Sequence, residues 1–329
     1  MPKRDLHVPY EFFEYVRVDG NDAPAAAPDR IDVALLDMNH SWPNVGHDSI
    51  AHAILDDAEE MRDVLAGAGQ KVRVLSFDVR RALAVPDHRF RLYVGTGGPG
   101  HLDPRLNDGL SECSQGILES DAWEQPLFAL FDAIAADTRS ALLGVCHTFG
   151  LMCRWSGIAR PELRSEKSSG MPDNVLDSGA ARHPWFARFA GALTDHRHFK
   201  VIDNRLFDLV ATGRNGVSVI AREHEGSDSF TVVEFARDAT NTMPRILGVN
   251  HHPEIIDRDH IMVVLEEKYA HGEVTEAWYR ERVTTLRDLL VGEAERQSQL
   301  TSEYTFLGPL RFHVRRLVEE RCGAAIVVS

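Results

Sequence analysis

One short stretch, residues 141–152, constrains the fold of this chain more than any other. An apolar run at 141–143 predicts the end of a buried strand, and the residues after 150 present an apolar helix face. Between them, a Gly-x-Cys turn places Cys146 where strand gives way to helix, as in a nucleophile elbow with cysteine in place of serine. Because a helix N-terminus carries positive potential, it favours thiolate over thiol. The pattern indicates a nucleophilic cysteine, with a buried structural cysteine as the alternative.

Two further strand ends carry groups suited to the same chemistry. Residues 93–100 run from an apolar strand into a Gly-Gly-Pro turn, whose backbone N–H groups can face an oxyanion. Residues 248–254 end another strand and place His252 two positions before Glu254. Together with Cys146, these stretches offer the nucleophile, base and orienting carboxylate of a catalytic triad.

Taken together, the three stretches resemble the class I glutamine amidotransferase family. That family's signature has a Gly-Gly-Pro oxyanion turn, a Gly-x-Cys elbow and a His-Pro-Glu sequence, in this order. The resemblance covers residues 31–267, and the three motifs are specific as a set although each is weak alone. It implies Cys146 as nucleophile, His252 as general base and Glu254 as the group that orients the imidazole.

The resemblance also implies which groups surround the substrate. The oxyanion donors are expected to be the backbone N–H groups of Gly98 and His147. Other positions expected to line the substrate pocket are Gly97, Pro99, Thr148, Gly150, His198 and Asn39. No Cys-x-x-Cys spacing occurs and the histidines are scattered, so we expect no metal site, and the family resemblance calls for no cofactor.

The elbow departs from the family pattern in ways that bear on the substrate. The family continues Cys-Leu-Gly-His-Gln, whereas this chain continues Cys-His-Thr-Phe-Gly. Gly150 replaces a glutamine that the family uses around the bound substrate, and Thr148 replaces a glycine that lets helix and sheet approach closely. We therefore expect the catalytic machinery to be retained and hydrolysis of free glutamine to be weak or absent.

His147 raises an alternative for the base. A Cys-His pair in the elbow also resembles the DJ-1/PfpI proteins, in which the adjacent histidine participates. This chain has Thr148 where that group has glycine, and a base at His147 would leave His252 and Glu254 unexplained. We favour His252. His251 stands where the amidotransferase family usually has an aromatic residue, and we interpret it as a packing residue.

The remaining pattern predicts an α/β, flavodoxin-like fold: an open, mostly parallel sheet with helices on both faces, extra antiparallel strands and a C-terminal helical extension. Predicted strands are 31–37, 71–77, 91–94, 217–222, 230–235 and 245–250, and predicted helices are 48–66, 126–136, 261–269, 278–294 and 310–321. Stretches 101–124 and 160–178 are polar and predict loops, the second with a short hairpin. We divide the chain into an N-terminal segment and linker (1–30), an amidotransferase-like domain (31–267) and the helical extension (268–329).

Composition limits the partners and the location. The formal net charge of −14 argues against nucleic acid or an anionic membrane surface as a partner. No apolar run approaches the ~20 residues of a membrane span, and no secretory signal is recognisable. Four cysteines in 329 residues do not make a disulfide framework, so we expect a reducing, cytoplasmic location.

These observations predict an enzyme that hydrolyses or transfers a carboxamide or acyl group of a small molecule through a thioester on Cys146. No synthetase motif is present, so we expect released ammonia to pass to a separate synthetase subunit, unless the amide itself is the target. Two alternatives stay open. One is a binding or partner-regulating protein that kept the fold, and the other is an acyl-transferring or peptidase-like enzyme with the same triad.

The C-terminal helices carry an apolar stripe that must be buried, because each buried leucine contributes roughly 2 kcal/mol. Its members are Trp278, Val283, Leu286, Leu289, Leu290 and Leu300. We favour a homo-oligomer contact over docking within the chain.

Overall fold

The computed structural model of the chain describes residues 5–20, 23–42, 44–255, 258, 262, 265–266, 269–270, 274–284, 286–287 and 291–323. Its strands are β1 Phe13–Val18, β2 Arg30–Asp37, β3 Lys71–Asp78, β4 Leu92–Gly95, β5 Ala141–Val145, β6 Ala159–Gly170, β7 Asp173–Leu176, β8 His198–Lys200, β9 Asp203–Ala211, β10 Ser218–Arg222, β11 Phe230–Arg237 and β12 Pro244–Val249. Its α-helices are α1 Val45–Glu60, α2 Arg62–Gly67, α3 Glu124–Ala136, α4 His147–Ser156, α5 Phe186–Ala192, α6 Glu276–Thr284, α7 Glu293–Ser302 and α8 Gly308–Cys322.

A ten-stranded sheet organises these elements, in the order β1-β3-β2-β4-β5-β12-β11-β10-β7-β8. The six strands from β1 to β12 run parallel, and the four beyond β12 are antiparallel. The central parallel strands are mostly apolar and are buried along nearly their whole length, as parallel strands covered by helices on both faces must be. The α/β fold class, the extra antiparallel strands and the C-terminal helical segment are confirmed.

Alternate residues of each strand enter two separate cores. Val33 and Leu35 of β2 face a core that contains α1, α5 and α8, whereas Ala34 and Leu36 face a core that contains α3 and α4. Successive side chains of a strand point to opposite faces, so one apolar strand supplies both cores. Helices therefore cover both faces of the parallel half of the sheet.

Five strands lie outside the predicted ones: β1, β6, β7, β8 and β9. β1, within the N-terminal segment and linker assigned to residues 1–30, pairs in parallel with β3 at the edge of the sheet. β6, within the stretch expected to be loop and short hairpin, is a twelve-residue strand that pairs with β9 in a second, two-stranded sheet. Most of its side chains are exposed or half-exposed, so it lacks the apolar alternation by which a strand is recognised. The prediction for 160–178 was wrong for this reason.

The C-terminal helices pack on the same chain. Leu310, Val314 and Val318 of α8 are buried in the core that also contains α1. The stripe members Trp278, Val283 and Leu286 lie in a smaller cluster. Leu300 packs against the main core, and Leu289 and Leu290 lie outside the described residues. Docking within the chain thus accounts for the described part of the stripe and removes the argument for a subunit contact there.

Other helical predictions differ in their bounds. Of the helix predicted at 278–294, α6 covers 278–284 and α7 begins at Glu293, while 285 and 288–290 lie outside the described residues. Most of the helix predicted at 261–269 also lies outside the described residues. Within the described part of the chain, no helix is both long and apolar enough to cross a membrane.

Replacing Leu310 with alanine is expected to lower the free energy of unfolding by about 2–5 kcal/mol, because the side chain is fully buried between α8 and the sheet. Glu320→Ala, at an exposed position of the same helix, is the matched control and is expected to change it by less than about 0.5 kcal/mol. Urea unfolding of the two variants measures the difference. Equal, small effects would show that α8 does not belong to the folded core.

Candidate active site

Cys146 occupies a strained turn between β5 and α4. Its backbone has φ 47° and ψ −98°, a conformation that residues with a side chain rarely adopt. Its N–H donates to the Val249 carbonyl at 2.7 Å, which continues the pairing of β5 with β12 by one residue. The chain then turns directly into α4, so the sulfur lies at the N-terminal end of that helix. This is the elbow that the sequence predicts.

Helix α4 packs closely on the sheet because the strand residue that faces it is a glycine. Thr148 is fully buried and packs on Gly95 of β4, where an added Cβ would lie only 2.8 Å from the Thr148 Cβ. The Thr148 hydroxyl donates to the Thr96 carbonyl at 2.8 Å. Threonine at this position is therefore accommodated because the opposing strand residue is glycine. Thr148 does not line the cavity, and its assignment to the substrate pocket was wrong.

His252 and Glu254 form a hydrogen-bonded pair next to the cysteine. The Nδ1 atom of His252 lies 2.9 Å from Oε1 of Glu254. Burial by itself lowers the pKa of His252, but the nearby Glu254 carboxylate and Cys146 side chain together raise that pKa well above its ordinary value. Gly97 fits between the partners: a Cβ added to it would lie 2.9 Å from His252 Cε1 and 3.4 Å from Cys146 Cβ.

The carboxylate of Glu254 rests on the first turn of helix α1. It is buried against Gly46, where an added Cβ would lie 3.2 Å from the Glu254 carboxyl carbon. Asn44 caps this helix by accepting hydrogen bonds from the N–H groups of Gly46 at 2.6 Å and His47 at 3.3 Å. The positive end of α1 therefore faces a buried negative charge, which it stabilises. Nothing in the sequence of α1 pointed to this role.

A buried ion pair supports the glycine turn. Arg80 donates from Nη1 to the carbonyls of Met38 at 2.8 Å and Pro99 at 2.6 Å, and its other nitrogens bond both carboxylate oxygens of Glu119 at 2.7 and 2.8 Å. Gly98 lies against the Met38 carbonyl, with no room for a side chain. Bidentate charged contacts of this kind hold backbone atoms firmly. The sequence analysis did not identify Arg80. Its position just after a parallel strand could have indicated a role in the site, because ligands of such sheets bind at the carboxyl ends of the strands.

Two backbone N–H groups are expected to bind an oxyanion, those of Gly98 and His147. Neither the Gly98 N–H nor the His147 N–H donates a hydrogen bond to a described residue. The His147 ring is buried, and burial, followed by the nearby charge of Arg80, lowers its pKa well below the ordinary value. Its Nε2 has no partner among the described residues. His147 is therefore neutral and lacks the carboxylate that His252 has.

A cavity of about 300 Å³ opens beside Cys146 and His252. Asn39, Gly98 and Pro99 line it as expected, and Gly97 lies directly behind the His252 ring.

Two further expected pocket residues lie elsewhere. The space beside Gly150 is filled by Leu102, whose Cγ would be 3.0 Å from an added Cβ. His198 lies on β8 at the far edge of the sheet, with a half-exposed ring bonded to Asp195 at 2.6 Å. Both pocket assignments were wrong. The packing of Leu102 closes the space beside Gly150, and His198 faces solvent because β8 is the last strand of the sheet.

The cavity also has walls that sequence reasoning did not identify. They come from the antiparallel pair β6 and β9 and from the C-terminal helices, and they include Lys167, Asp203, Trp278, Glu281, Arg282 and Leu286. Asp203 is buried, with Oδ2 bonded to Ser168 at 2.6 Å and paired with Arg205 at 3.0 Å. Burial raises its pKa, opposed chiefly by Arg205. Its other oxygen has no described partner. No described cluster of His, Cys, Asp and Glu is arranged to hold a metal ion.

Comparison with known proteins adds evidence on the fold. No family model and no curated protein matches the chain. The crystal structure of SMU.1228c superposes with a TM-score of 0.50 at 17% identity, covering 88% of this chain and all of that one. The superposition shows that the two chains share a fold.

Two glutamine amidotransferase structures are also similar. That from Thermotoga maritima has a TM-score of 0.46 at 15% identity, covering 87% of this chain and 98% of that one. That from Methylobacillus flagellatus has a TM-score of 0.45 at 14% identity, covering 88% and 95%. At such identities the comparison concerns the fold alone.

Brief treatment with iodoacetamide near neutral pH is expected to label Cys146 at least tenfold faster than the other three cysteines. Cys146 is half-exposed beside the protonated imidazole of His252. Burial raises the pKa of the Cys153 thiol well above its ordinary value and also raises that of Cys322, so both stay protonated and slow. Mass mapping of the labelled peptides measures the order. Uniform labelling, or labelling of Cys322 first, would contradict the elbow assignment.

Gly97→Ala is expected to slow the labelling of Cys146 about tenfold or more, because the new methyl group would contact the His252 ring at 2.9 Å and displace it from the sulfur. Gly191→Ala, at a site with no atom within 4 Å of the added carbon, serves as the control. The rate of Cys146 labelling in each variant is measured by quenching the reaction at a series of times. A wild-type rate in Gly97→Ala would mean that His252 does not act on Cys146.

Proposed function

We propose that this chain is a glutamine amidotransferase-like enzyme that hydrolyses or transfers a carboxamide or acyl group through a thioester on Cys146. One observation carries the proposal. A histidine whose pKa is raised lies between a buried carboxylate, Glu254 at 2.9 Å, and a cysteine at a helix N-terminus. Burying the Glu254 carboxylate beside a histidine and a cysteine is costly unless the charges are used, so a purely structural role leaves the arrangement unexplained.

The arrangement supports a two-step reaction. The Cys146 thiolate attacks the amide carbonyl, and the oxyanion that forms accepts hydrogen bonds from the backbone N–H groups of Gly98 and His147. His252 then gives its proton to the leaving nitrogen as the C–N bond breaks, which releases ammonia or an amine and leaves the thioester. In the second step His252 takes a proton from water as the water attacks the thioester, and the proton passes to the Cys146 sulfur as it leaves. Glu254 stabilises the imidazolium in both steps.

The substrate is proposed to be a small amide or acyl compound other than free glutamine. The cavity volume of about 300 Å³ suits a small molecule. Leu102 fills the space beside Gly150 where the resembled family has its glutamine side chain, so that contact with substrate is absent from this chain. Ammonia released here is expected to be used by a separate synthetase subunit, unless degradation of the amide is itself the function.

His252→Asn is expected to lower the rate of ammonia release from a responsive amide by at least about a thousandfold, because a triad acts as a unit. His147→Asn keeps the backbone N–H and is expected to stay within about tenfold of the unmodified chain, since its neutral ring has no carboxylate partner. A coupled ammonia assay on a panel of small amides and γ-glutamyl compounds compares the variants. The reverse ranking would assign the base to His147, and no release from any amide would contradict the proposed reaction.

A further inference from the structure

The outer wall of the cavity is built by helix α6 and the residues just after it. Trp278, Arg282 and Leu286 line the same cavity as Cys146 and His252. This segment lies beyond residues 31–267, the part of the chain that the family resemblance covers. The C-terminal extension therefore contributes side chains to the candidate site.

The wall is fixed relative to the catalytic groups by apolar packing. Val283 and Leu286 are buried in one cluster with Val45, the first residue of α1, and Ile202. Ile202 in turn accepts a backbone hydrogen bond from His252 at 2.8 Å. Because the wall and the imidazole share these contacts, a substrate group bound to α6 is held at a defined distance from the sulfur.

Arg282 is held in one orientation on this wall. Its guanidinium carbon lies 3.9 Å from the centre of the Trp278 ring, within the range of a cation–π contact. Only about a quarter of the side chain is exposed, at 26%. Among the described residues its hydrogen bonds come from Nη1 alone, to the Trp278 carbonyl at 3.5 Å and to Glu281 at 3.4 Å, which leaves the Nε and Nη2 donors for a ligand. Burial lowers the pKa of Arg282, which fits a cation whose charge is incompletely balanced by its surroundings.

Two cations on this wall share one acidic partner among the described residues. Glu281 contacts Arg282 at 3.4 Å and Lys167 of β6 at 3.9 Å. Asp203, the other acid in the wall, is paired with Arg205 at 3.0 Å. A carboxylate on the ligand would give Arg282 and Lys167 a second acidic partner, and Arg binds carboxylates in two-pronged fashion.

We propose that Arg282, together with Lys167, binds a carboxylate of the substrate. The substrate of Cys146 is then an amide or acyl compound that carries an anionic group at the end remote from the reacting carbonyl. The inference rests on the proposed function for its reaction, but the anion site itself is independent of Cys146 chemistry. It assigns substrate selection to the C-terminal extension.

Binding can be tested without turnover in the full-length Cys146→Ala variant. The probes are glutaramate, which has a carboxamide at one end and a carboxylate at the other, and glutaramide, its neutral counterpart of equal length. Isothermal titration calorimetry is expected to show at least tenfold tighter binding of glutaramate, and the preference is expected to weaken as salt is raised. Equal dissociation constants for the two probes would overturn the proposal.

Two variants in the Cys146→Ala background locate the effect. Arg282→Gln is expected to reduce the preference for glutaramate to less than threefold. Arg280→Gln, an exposed position on the same helix whose arginine pairs with Glu276 at 2.6 Å, is expected to retain it. If Arg282→Gln does not fold, Arg282→Lys replaces it and is expected to weaken the preference at least threefold, because the ammonium loses the planar stacking on Trp278. Full retention of the preference in the Arg282 variant, or equal loss in Arg280→Gln, would overturn the proposal.

Ammonia release from the same probes by the unmodified chain separates this inference from the proposed reaction. Ammonia release from glutaramate with kcat/KM at least tenfold above that for glutaramide would support both the anion site and the proposed reaction. A binding preference without any release would support the anion site and contradict the reaction. Equal kcat/KM values for the two amides would support the reaction and overturn the anion site.

Discussion

The pairing of β5 with β12 is the interaction on which the candidate site depends. The two strands run parallel in register, with Val145 opposite Val249, and the hydrogen bond from the Cys146 N–H to the Val249 carbonyl extends that register to the elbow. Parallel neighbours end at the same edge of a sheet, so the residues that follow each strand must meet. Cys146 follows the first strand directly and His252 follows the second after two residues. About a hundred residues of chain separate them, yet one ladder of backbone hydrogen bonds sets their distance.

Space at this edge is made by glycines on the opposing surfaces. Gly95 admits Thr148, Gly97 admits the His252 ring, and Gly46 admits the carboxylate of Glu254. In each case the glycine lies on one element, and the functional or packing group that uses the space lies on another. The electrostatics follow from this packing, because a carboxylate pressed onto the start of α1 and a sulfur at the start of α4 both lie at positive helix ends. His252 holds its proton between them.

Buried ion pairs fix the glycine turn and the start of β9. Arg80, paired with Glu119, donates to the Pro99 carbonyl of the turn at 97–99 and to the neighbouring Met38 carbonyl, and Asp203 is tied to Arg205 and Ser168 at the start of β9. Such pairs add little net stability but penalise other arrangements of the loops, since breaking one leaves a buried charge alone. The stacking of Arg282 on Trp278 has the same effect on the outer wall. The cavity is thus bounded by charges that are already oriented before a ligand arrives.

The sequence by itself determined the local chemistry: the strand ends, the elbow at Cys146, the glycine turn, and the spacing of His252 and Glu254. Each depends on neighbouring residues, because apolar runs define buried strands and a glycine or proline defines the turn after them. Only the tertiary structure decided which distant groups complete the site. β6 is too polar to be recognised as a strand, Leu102 and Thr148 take positions set by packing, and Arg282 reaches the cavity because α6 docks beside α1. No local pattern records such contacts, since they arise from the complementary shapes of segments far apart in the chain.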